Sequence, residues 1–349
     1  MLKRINILLI AFIAFAASQA CAAPVRKVND IKWPLFNSPV ILLRGGSFDA
    51  LFIGGKIVKK ATLTGSFDKA ALADLTLGDS SSGGVMHTQK LKVPADAKEA
   101  LYDLTVEFTD GSSDTQPHAV KVIKEFKKKF DFVHFTDMHF NSSQAQNEVR
   151  AKIMKSMMDA KPEFVLFSGD FVTNPVTYDV DYPLGYNMLV KYMTEPIYMV
   201  PGNHECYVDS SLNPIPDGME YWKAMLDIEY MSFDYGDLHV VGIDDFQFEK
   251  NLRERYSPDN ALFGTQGLAR IMPEQWDWLT KDLQAAKTRT KSTIAFMHIP
   301  LETFAGGRTI GLAKNRQKIS GPGKDDFVSL LTGNNVTHVF IGHMHANDE

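Results

Sequence analysis

Five apolar runs between residues 131 and 345 of this chain each end in side chains that can bind a metal ion or move a proton. They are "DFVHFTD" running into Asp137-Met138-His139, "EFVLFSGD" into Gly169-Asp170, "PIYMVPGNH" into Gly202-Asn203-His204-Glu205, "STIAFMHIP" into His298, and "HVFIGHMH" into His343 and His345. Such short, nearly continuous apolar runs, bounded by glycine, proline and polar residues, predict strands covered on both faces. Between them, "SQAQNEVRAKIMKSMMDAK" has helical periodicity, and Pro273 opens a helix in "PEQWDWLTKDLQAAK". The expected fold is α+β: two packed mixed β-sheets flanked by helices. In open sheets of this kind ligands bind beyond the carboxyl ends of the strands, so the five polar exits can converge in one crevice.

The first part of the chain reads differently. From about Pro34 to Lys124 short alternating runs such as "PVILLRG", "KIVKKATLTG" and "LYDLTVEFTDGSS" alternate with turn signals. They predict an all-β, immunoglobulin-like sandwich of about seven strands. This segment has no clustered acids and only the scattered His87 and His118, so an accessory role is expected of it. The basic stretch "VIKEFKKKF" marks the junction. The resulting division is 1–23 as a leader, 24–125 as the β-sandwich, and 126–349 as the domain that carries the five exits.

The leader follows from Lys3 and Arg4, an apolar run from Ile5 to Ala17, and small residues around Ala20-Cys21-Ala22. That is a secretory signal peptide with an A-x-A cleavage site, too short for a membrane span. The competing reading lipidates Cys21, but Ser18-Gln19-Ala20 lacks the usual leucine. Export to a periplasm or out of the cell is expected, with no transmembrane span in the mature chain. With Cys21 removed, Cys206 is the one remaining thiol, and no internal disulfide is expected. The formal net charge of −5 offers no basic excess for a nucleic-acid partner.

The exits carry imidazole nitrogen, carboxylate oxygen and a carboxamide. Such ligands suit Zn, Fe, Mn or Ni. Seven such ligands are too many for one tetrahedral ion. Two ions sharing one carboxylate would use them all. Two metals about 3.5–4 Å apart can activate a bridging hydroxide and clamp both oxygens of an in-line displacement at phosphorus.

The ordered blocks D-x-H, G-D, G-N-H-E, H and G-H-x-H, from about Phe130 to His345, resemble the calcineurin-like metallophosphoesterase family. The resemblance implies a first metal on Asp137, His139, Asp170 and His345. It implies a second on Asp170, Asn203, His298 and His343, with Asp170 bridging. It also implies that His204 faces the substrate, stabilises the developing charge and helps protonate the leaving oxygen. In the purple acid phosphatases, a branch of the family, a tyrosine stands three positions after the G-D aspartate and ligates ferric iron. Here that position is Thr173, so no tyrosinate-iron colour is expected, and the D-x-H block leans toward the phosphodiesterase-like branches. Family members usually continue past G-H-x-H, so a truncated C-terminus is a further expectation.

Other residues take plainer readings. His134, His239 and His338 are read as strand or core histidines. Asp244-Asp245 is read as a locally bonded turn pair, Cys206 as an unreactive thiol, and Trp276 and Trp278 as packing. The loops Cys206 to Asp217 and Leu301 to Lys324 are candidate specificity elements. The second carries Arg308, Lys314, Arg316, Lys318 and Lys324, which either steer an anionic substrate or form a solvated surface. The sequons at Asn141 and Asn335 are read as chance matches. Together these readings predict an exported dinuclear-metal phosphoesterase acting on a small phosphomonoester or phosphodiester. The alternative is a non-catalytic binding or adhesion protein in which the β-sandwich is the working part.

Overall fold

The computed structural model describes residues 23–254, 265, 267–310 and 317–345. The leader up to Ala22, with Cys21, and Lys314 and Arg316 of the basic loop lie outside the described residues.

The N-terminal part is built of nine strands, two more than expected: β1 (Ile31–Trp33), β2 (Val40–Leu43), β3 (Ser47–Ile53), β4 (Val58–Gly65), β5 (Leu72–Asp74), β6 (Thr76–Gly83), β7 (Met86–Lys92), β8 (Ala100–Phe108) and β9 (Ser113–Ile123). One sheet runs β1-β3-β7-β6 and the other β2-β9-β8-β4-β5. The expected count fell short because β1 has only three residues and β6 is exposed along its whole length, so neither shows apolar alternation. Strand β3 shows the rule that holds elsewhere: Phe48, Ala50 and Phe52 are buried while Ser47, Asp49 and Ile53 face out. These side chains meet Leu63, Leu104, Val106 and Phe108 of the opposite sheet in one core. Each such large side chain contributes about 1.5–3 kcal/mol.

This strand-rich part is docked on the rest. Lys27 and Val28 donate backbone N–H groups to the Ala224 carbonyl, and Asn37 Nδ2 donates to Ile228 O at 2.9 Å. Phe36 is buried among the side chains of the following part, its ring 5.0 Å from that of Tyr186.

The second part stacks helices, sheet, sheet, helices. Parallel β10 (Val133–Phe135), β11 (Val165–Ser168) and β12 (Ile197–Val200) form the first sheet. In the second, β13 (Met231–Tyr235) is antiparallel to β14 (Leu238–Gly242), which is followed by parallel β15 (Ser292–Phe296) and β18 (Val336–Phe340). A two-stranded ribbon, β16 (Thr309–Ile310) and β17 (Gln317–Lys318), lies in the loop between the last two.

Period-two alternation places each strand's side chains in two different cores. Leu166, Tyr198 and Val200 meet Val240, Ile294 and Phe296 between the sheets, where the Tyr198 and Phe233 rings stack at 3.6 Å. Val165, Phe167 and Met199 pack outward, in a core with Met154 of helix α1 (Gln144–Asp159) and Leu189 of α2 (Tyr178–Tyr192). Short α3 (Asn203–Cys206) and α4 (Gly218–Met225) follow β12. On the far side, α5 (Pro273–Ala286) contributes Leu279 and Leu283, and α6 (Lys324–Gly333) Phe327 and Leu331, to a core with Val241 and Ala295.

Strands β11 and β12 are buried at every position, as their sequences predict. Strand β18 is not: it is an edge of its sheet among the described residues, and Thr337 and His338 are exposed. His338 is therefore an edge residue and not part of a core. Trp276 and Trp278 are packing residues as expected.

Candidate metal centre

All five exits open at one end of the stacked sheets, and backbone hydrogen bonds tie them together beyond the strands. Asp137 N donates to Gly169 O at 3.0 Å, His139 N to Asp170 O at 3.0 Å, and Gly342 N to His298 O at 2.9 Å. The turns are abrupt. Asp137, His139, Asp170, His343 and His345 all have positive φ, between 45° and 70°. Non-glycine residues seldom adopt this left-handed backbone, and it clusters where surrounding structure over-determines a functional geometry. Gly202 and Gly342 are needed for a different reason, close approach. A Cβ at 202 would stand 2.5 Å from Asp170 Oδ1, and one at 342 would stand 2.1 Å from Thr136 Oγ1.

The side chains converge in two groups that share Asp170. Asp137, His139, Asp170 and His345 each offer an atom within 4.8 Å of the others, as do Asp170, His298 and His343. Asn203 Oδ1 joins the second group, 3.0 Å from both His298 Nε2 and His343 Nδ1. The Asp170 carboxylate spans both groups: Oδ1 is 3.2 Å from His298 Nε2, and Oδ2 is 3.6 Å from His139 Nε2. All seven predicted ligands thus come together. His345 is the exposed member, at 62% of its side chain.

Ring orientation is set by backbone carbonyls. His139 Nδ1 lies 3.1 Å from Val172 O, and His298 Nδ1 lies 2.7 Å from Ser168 O. With Nδ1–H donated outward, each Nε2 presents its lone pair to the crevice. His204 follows the same pattern, Nδ1 at 2.5 Å from Thr173 O and Nε2 at 3.8 Å from Asp170 Oδ2, and it stands beside the cluster.

The donor set fits metal cations on three counts. Asp137 Oδ1 is buried with no hydrogen-bond partner, although His345 Nε2 stands 3.1 Å away and is not aligned to donate. Burial lowers the His139 and His343 imidazoles, which favours the neutral, ligating form. Burial also opposes charge on His298, yet Asp170, with Asp137 and Asp245, lifts it to about 10. Burial would raise Asp170, but His298, His204 and His139 hold it well below the ordinary carboxylate range. The crevice strongly favours positive charge, and metal ions binding there would displace protons.

Four supporting residues escaped the sequence reading. Glu205 accepts from the backbone N–H groups of Asp170, Val172 and Gly202 at 2.8, 2.9 and 2.7 Å, tying the second exit to the third. Arg150 of α1 donates to the Met138 and His139 carbonyls at 2.7 and 2.5 Å. Tyr207 Oη accepts from Asn203 Nδ2 at 2.5 Å. Asp245 corrects the reading of a locally bonded turn pair: Asp244 does accept from Phe246 N, but Asp245 reaches across to His298 N at 3.4 Å and Ile299 N at 2.6 Å. Glu205 had one signal, its place in the G-N-H-E block. Arg150 and Asp245 had none, because their partners are backbone groups on other elements, and nothing in the sequence says that the Tyr207 hydroxyl, four residues on, meets the Asn203 amide.

The plainer readings also separate. Cys206 is buried, its Sγ 3.2 Å from Gly202 O. Asn141 Nδ2 is held at 3.0 Å by the His139 carbonyl. Arg308 of the basic loop reaches the Glu302 carbonyl at 3.4 Å. His239 is in a core, as read, but ion-paired on both sides, its ring nitrogens 2.6 Å from Asp234 and 2.8 Å from Asp282.

The layered α+β fold thus carries, at its strand ends, a cluster of imidazoles and carboxylates suited to transition-metal ions. The model of the calcineurin-like phosphoesterases matches residues 130–347, and the chain belongs to that family. No curated protein sequence matches it. Among solved structures it is similar to a purple acid phosphatase from yellow lupin (Lupinus luteus) seeds, at 13% identity over 86% of this chain and a TM-score of 0.46. The chain covers 56% of that protein's length. It is also similar to a dimetal phosphatase from Danio rerio, at 15% identity over 63% of this chain and 84% of that one, with a TM-score of 0.40. Among the described residues no helix is long and apolar enough to cross a membrane.

Proposed function

We propose that this chain hydrolyses phosphate esters at the strand-end cluster, using two transition-metal ions. The observation that carries the reading is the pair of donor groups sharing Asp170. One ion would be held by Asp137, His139, Asp170 and His345, the other by Asp170, Asn203, His298 and His343. Ions so held would supply Lewis acidity toward a phosphoryl oxygen and would make a water more acidic.

The chain's own groups do the rest. Asp170 is pinned for its shared role by the His204 backbone N–H, which donates to Oδ1 at 3.1 Å. His204, its Nδ1–H committed to Thr173 O, can hold a proton at Nε2 and pass it to the departing oxygen of the ester. Tyr178 Oη donates to the His204 carbonyl and steadies that residue from behind. In the same reading, residues 24–125 form an accessory β-sandwich, 126–349 the catalytic domain, and the leader 1–23 directs export.

The test is a panel of 4-nitrophenyl phosphate and bis(4-nitrophenyl) phosphate, run after loading with Mn, Zn, Ni or Fe. Hydrolysis of either ester, abolished by a chelator and restored by metal, is the expected result. The ratio of the two rates separates monoesterase from diesterase. A chain that binds two ions and cleaves neither ester would favour the binding-protein alternative. Cell fractionation of the full chain, with N-terminal sequencing of the mature protein, tests export.

A further inference from the structure

Asn203 differs from the other six candidate ligands in one respect: its side chain has one metal-binding end and one useless end. The amide oxygen can ligate, and the NH₂ group cannot. In the structure Oδ1 faces His298 Nε2 and His343 Nδ1, at 3.0 Å from each. The NH₂ end points to Tyr207, with Nδ2 donating to Oη at 2.5 Å. Asn203 is completely buried, so Nδ2 needs a protein acceptor, and Tyr207 supplies it. The tyrosine sits four residues on, just past the end of α3, and is itself almost wholly buried. Its ring centroid is also 5.0 Å from that of His204.

We propose that Tyr207 is a positioning residue that locks the Asn203 amide with its oxygen toward the second ion. The inference rests on the two-ion reading above. Removing Oη leaves a buried NH₂ without this acceptor, and the amide can then turn its nitrogen into the crevice. The loss is expected at the second ion, because Asn203 Oδ1 faces His298 and His343 and would serve that ion only. Partners that orient metal ligands are typically worth 10–100-fold in metal affinity.

The experiment is calorimetric titration of metal-free protein with Mn²⁺, with electron paramagnetic resonance to detect spin coupling between paired ions. Wild type is expected to take two ions and show coupling. Tyr207→Phe keeps the ring, should retain first-ion affinity, and should bind the second ion about 10–100-fold more weakly, with coupling lost at low Mn²⁺. The decisive arm uses Asn203→Asp, because a carboxylate has two equivalent oxygens and cannot be turned the wrong way. In that background Tyr207→Phe should leave second-ion affinity within about twofold.

Equal second-ion affinity in wild type and Tyr207→Phe would overturn the inference while leaving the two-ion reading intact. A matching loss at both ions, or a loss that persists in the Asn203→Asp background, would reduce Tyr207 to a packing residue and overturn it too. Wild type that takes only one ion would sink the two-ion reading, and this inference with it. Should Tyr207→Phe fail to fold, Tyr207→His, which keeps a ring and an acceptor nitrogen, serves instead. Wild-type-like binding of both ions by that variant supports the lock, and loss of both overturns it.

Discussion

Two clusters of imidazole and carboxylate lie in the second part of the molecule, and they are built for opposite ends. At the strand exits, His139 and His298 each spend one ring nitrogen on a backbone carbonyl and keep the other for the crevice. Around His239 both nitrogens are spent, Nδ1 on Asp234 at 2.6 Å and Nε2 on Asp282 at 2.8 Å. Arg289 Nε adds a bond to Asp234 Oδ2 at 2.9 Å, and Ser232 Oγ one to Asp282 Oδ1 at 2.9 Å. An imidazole with two carboxylate partners is a double donor, positively charged and without a lone pair. The first cluster can bind metal; the second is an internal ion pair that fastens β13, β14 and α5 together. Residue types alone do not separate the two. The partners do: at the exits each of these rings turns one nitrogen to a crevice shared with other candidate ligands, whereas both His239 nitrogens are closed off by carboxylates.

The sharpest way to break this contrast is to remove the shared carboxylate. Asp170→Asn should lose both ions together and abolish hydrolysis, a larger effect than the roughly 10–100-fold expected from any supporting partner. Metal analysis of the purified variant checks it, and retention of one tight ion would mean that Asp170 does not bridge. His204→Ala comes next. It should keep both ions and lose about 10²–10⁴ in kcat. The loss should be greater for an alkyl ester than for a nitrophenyl ester, whose leaving group needs no proton. Loss of an ion instead would make His204 a ligand.

His239→Ala probes the other cluster. Leaving Asp234 and Asp282 without their shared partner should cost about 3–5 kcal/mol of stability, measured by urea unfolding, with ion content unchanged. If the variant loses metal as well, the two clusters are not independent.

A smaller effect follows from pH. Burial lowers the His239 imidazole, but hydrogen bonds to Asp234 and Asp282 more than reverse this, and its pKa is raised in the folded chain. The stability it contributes is therefore complete below the unfolded value of about 6.5 and is lost as pH rises through the folded value. Burial raises Asp234, yet His239 and Arg289 bring it below the ordinary carboxylate range, so its share is lost as pH falls through that lower value. Tm should decline on both sides of a mildly acidic optimum, and His239→Ala should lessen the decline on the alkaline side. The smallest expected signal is a null one: with Thr173 where a tyrosinate would be needed, iron-loaded protein should show no strong visible charge-transfer band. A coloured protein would direct attention to Tyr207, the tyrosine whose hydroxyl touches a candidate ligand.

The sequence by itself determined the chemistry of the exits. Asp137, His139, Asp170, Asn203, His298, His343 and His345 were legible because each follows an apolar run and because the ordered blocks resemble one family's motif, which alone set Asn203 apart from its neighbours His204 and Glu205. It determined the helices at Gln144–Asp159 and Pro273–Ala286 through their periodicity and the leading proline. Tertiary structure decided the rest. Nothing local announces that β6, exposed throughout, belongs to a sheet, because its pairing to β7 is a backbone matter. Nothing local distinguishes His239 from His298, since both close or occupy apolar strands. The difference lies in what packs against them, Asp282 from a helix in one case and the Ser168 carbonyl from a neighbouring strand exit in the other. Glu205, Arg150 and Asp245 support the site through backbone groups, which every residue carries, so a sequence cannot mark which of them will be met. Ring nitrogens are closed off or turned toward a shared crevice by three-dimensional neighbours, and that arrangement made one cluster a candidate metal centre and the other an ion pair.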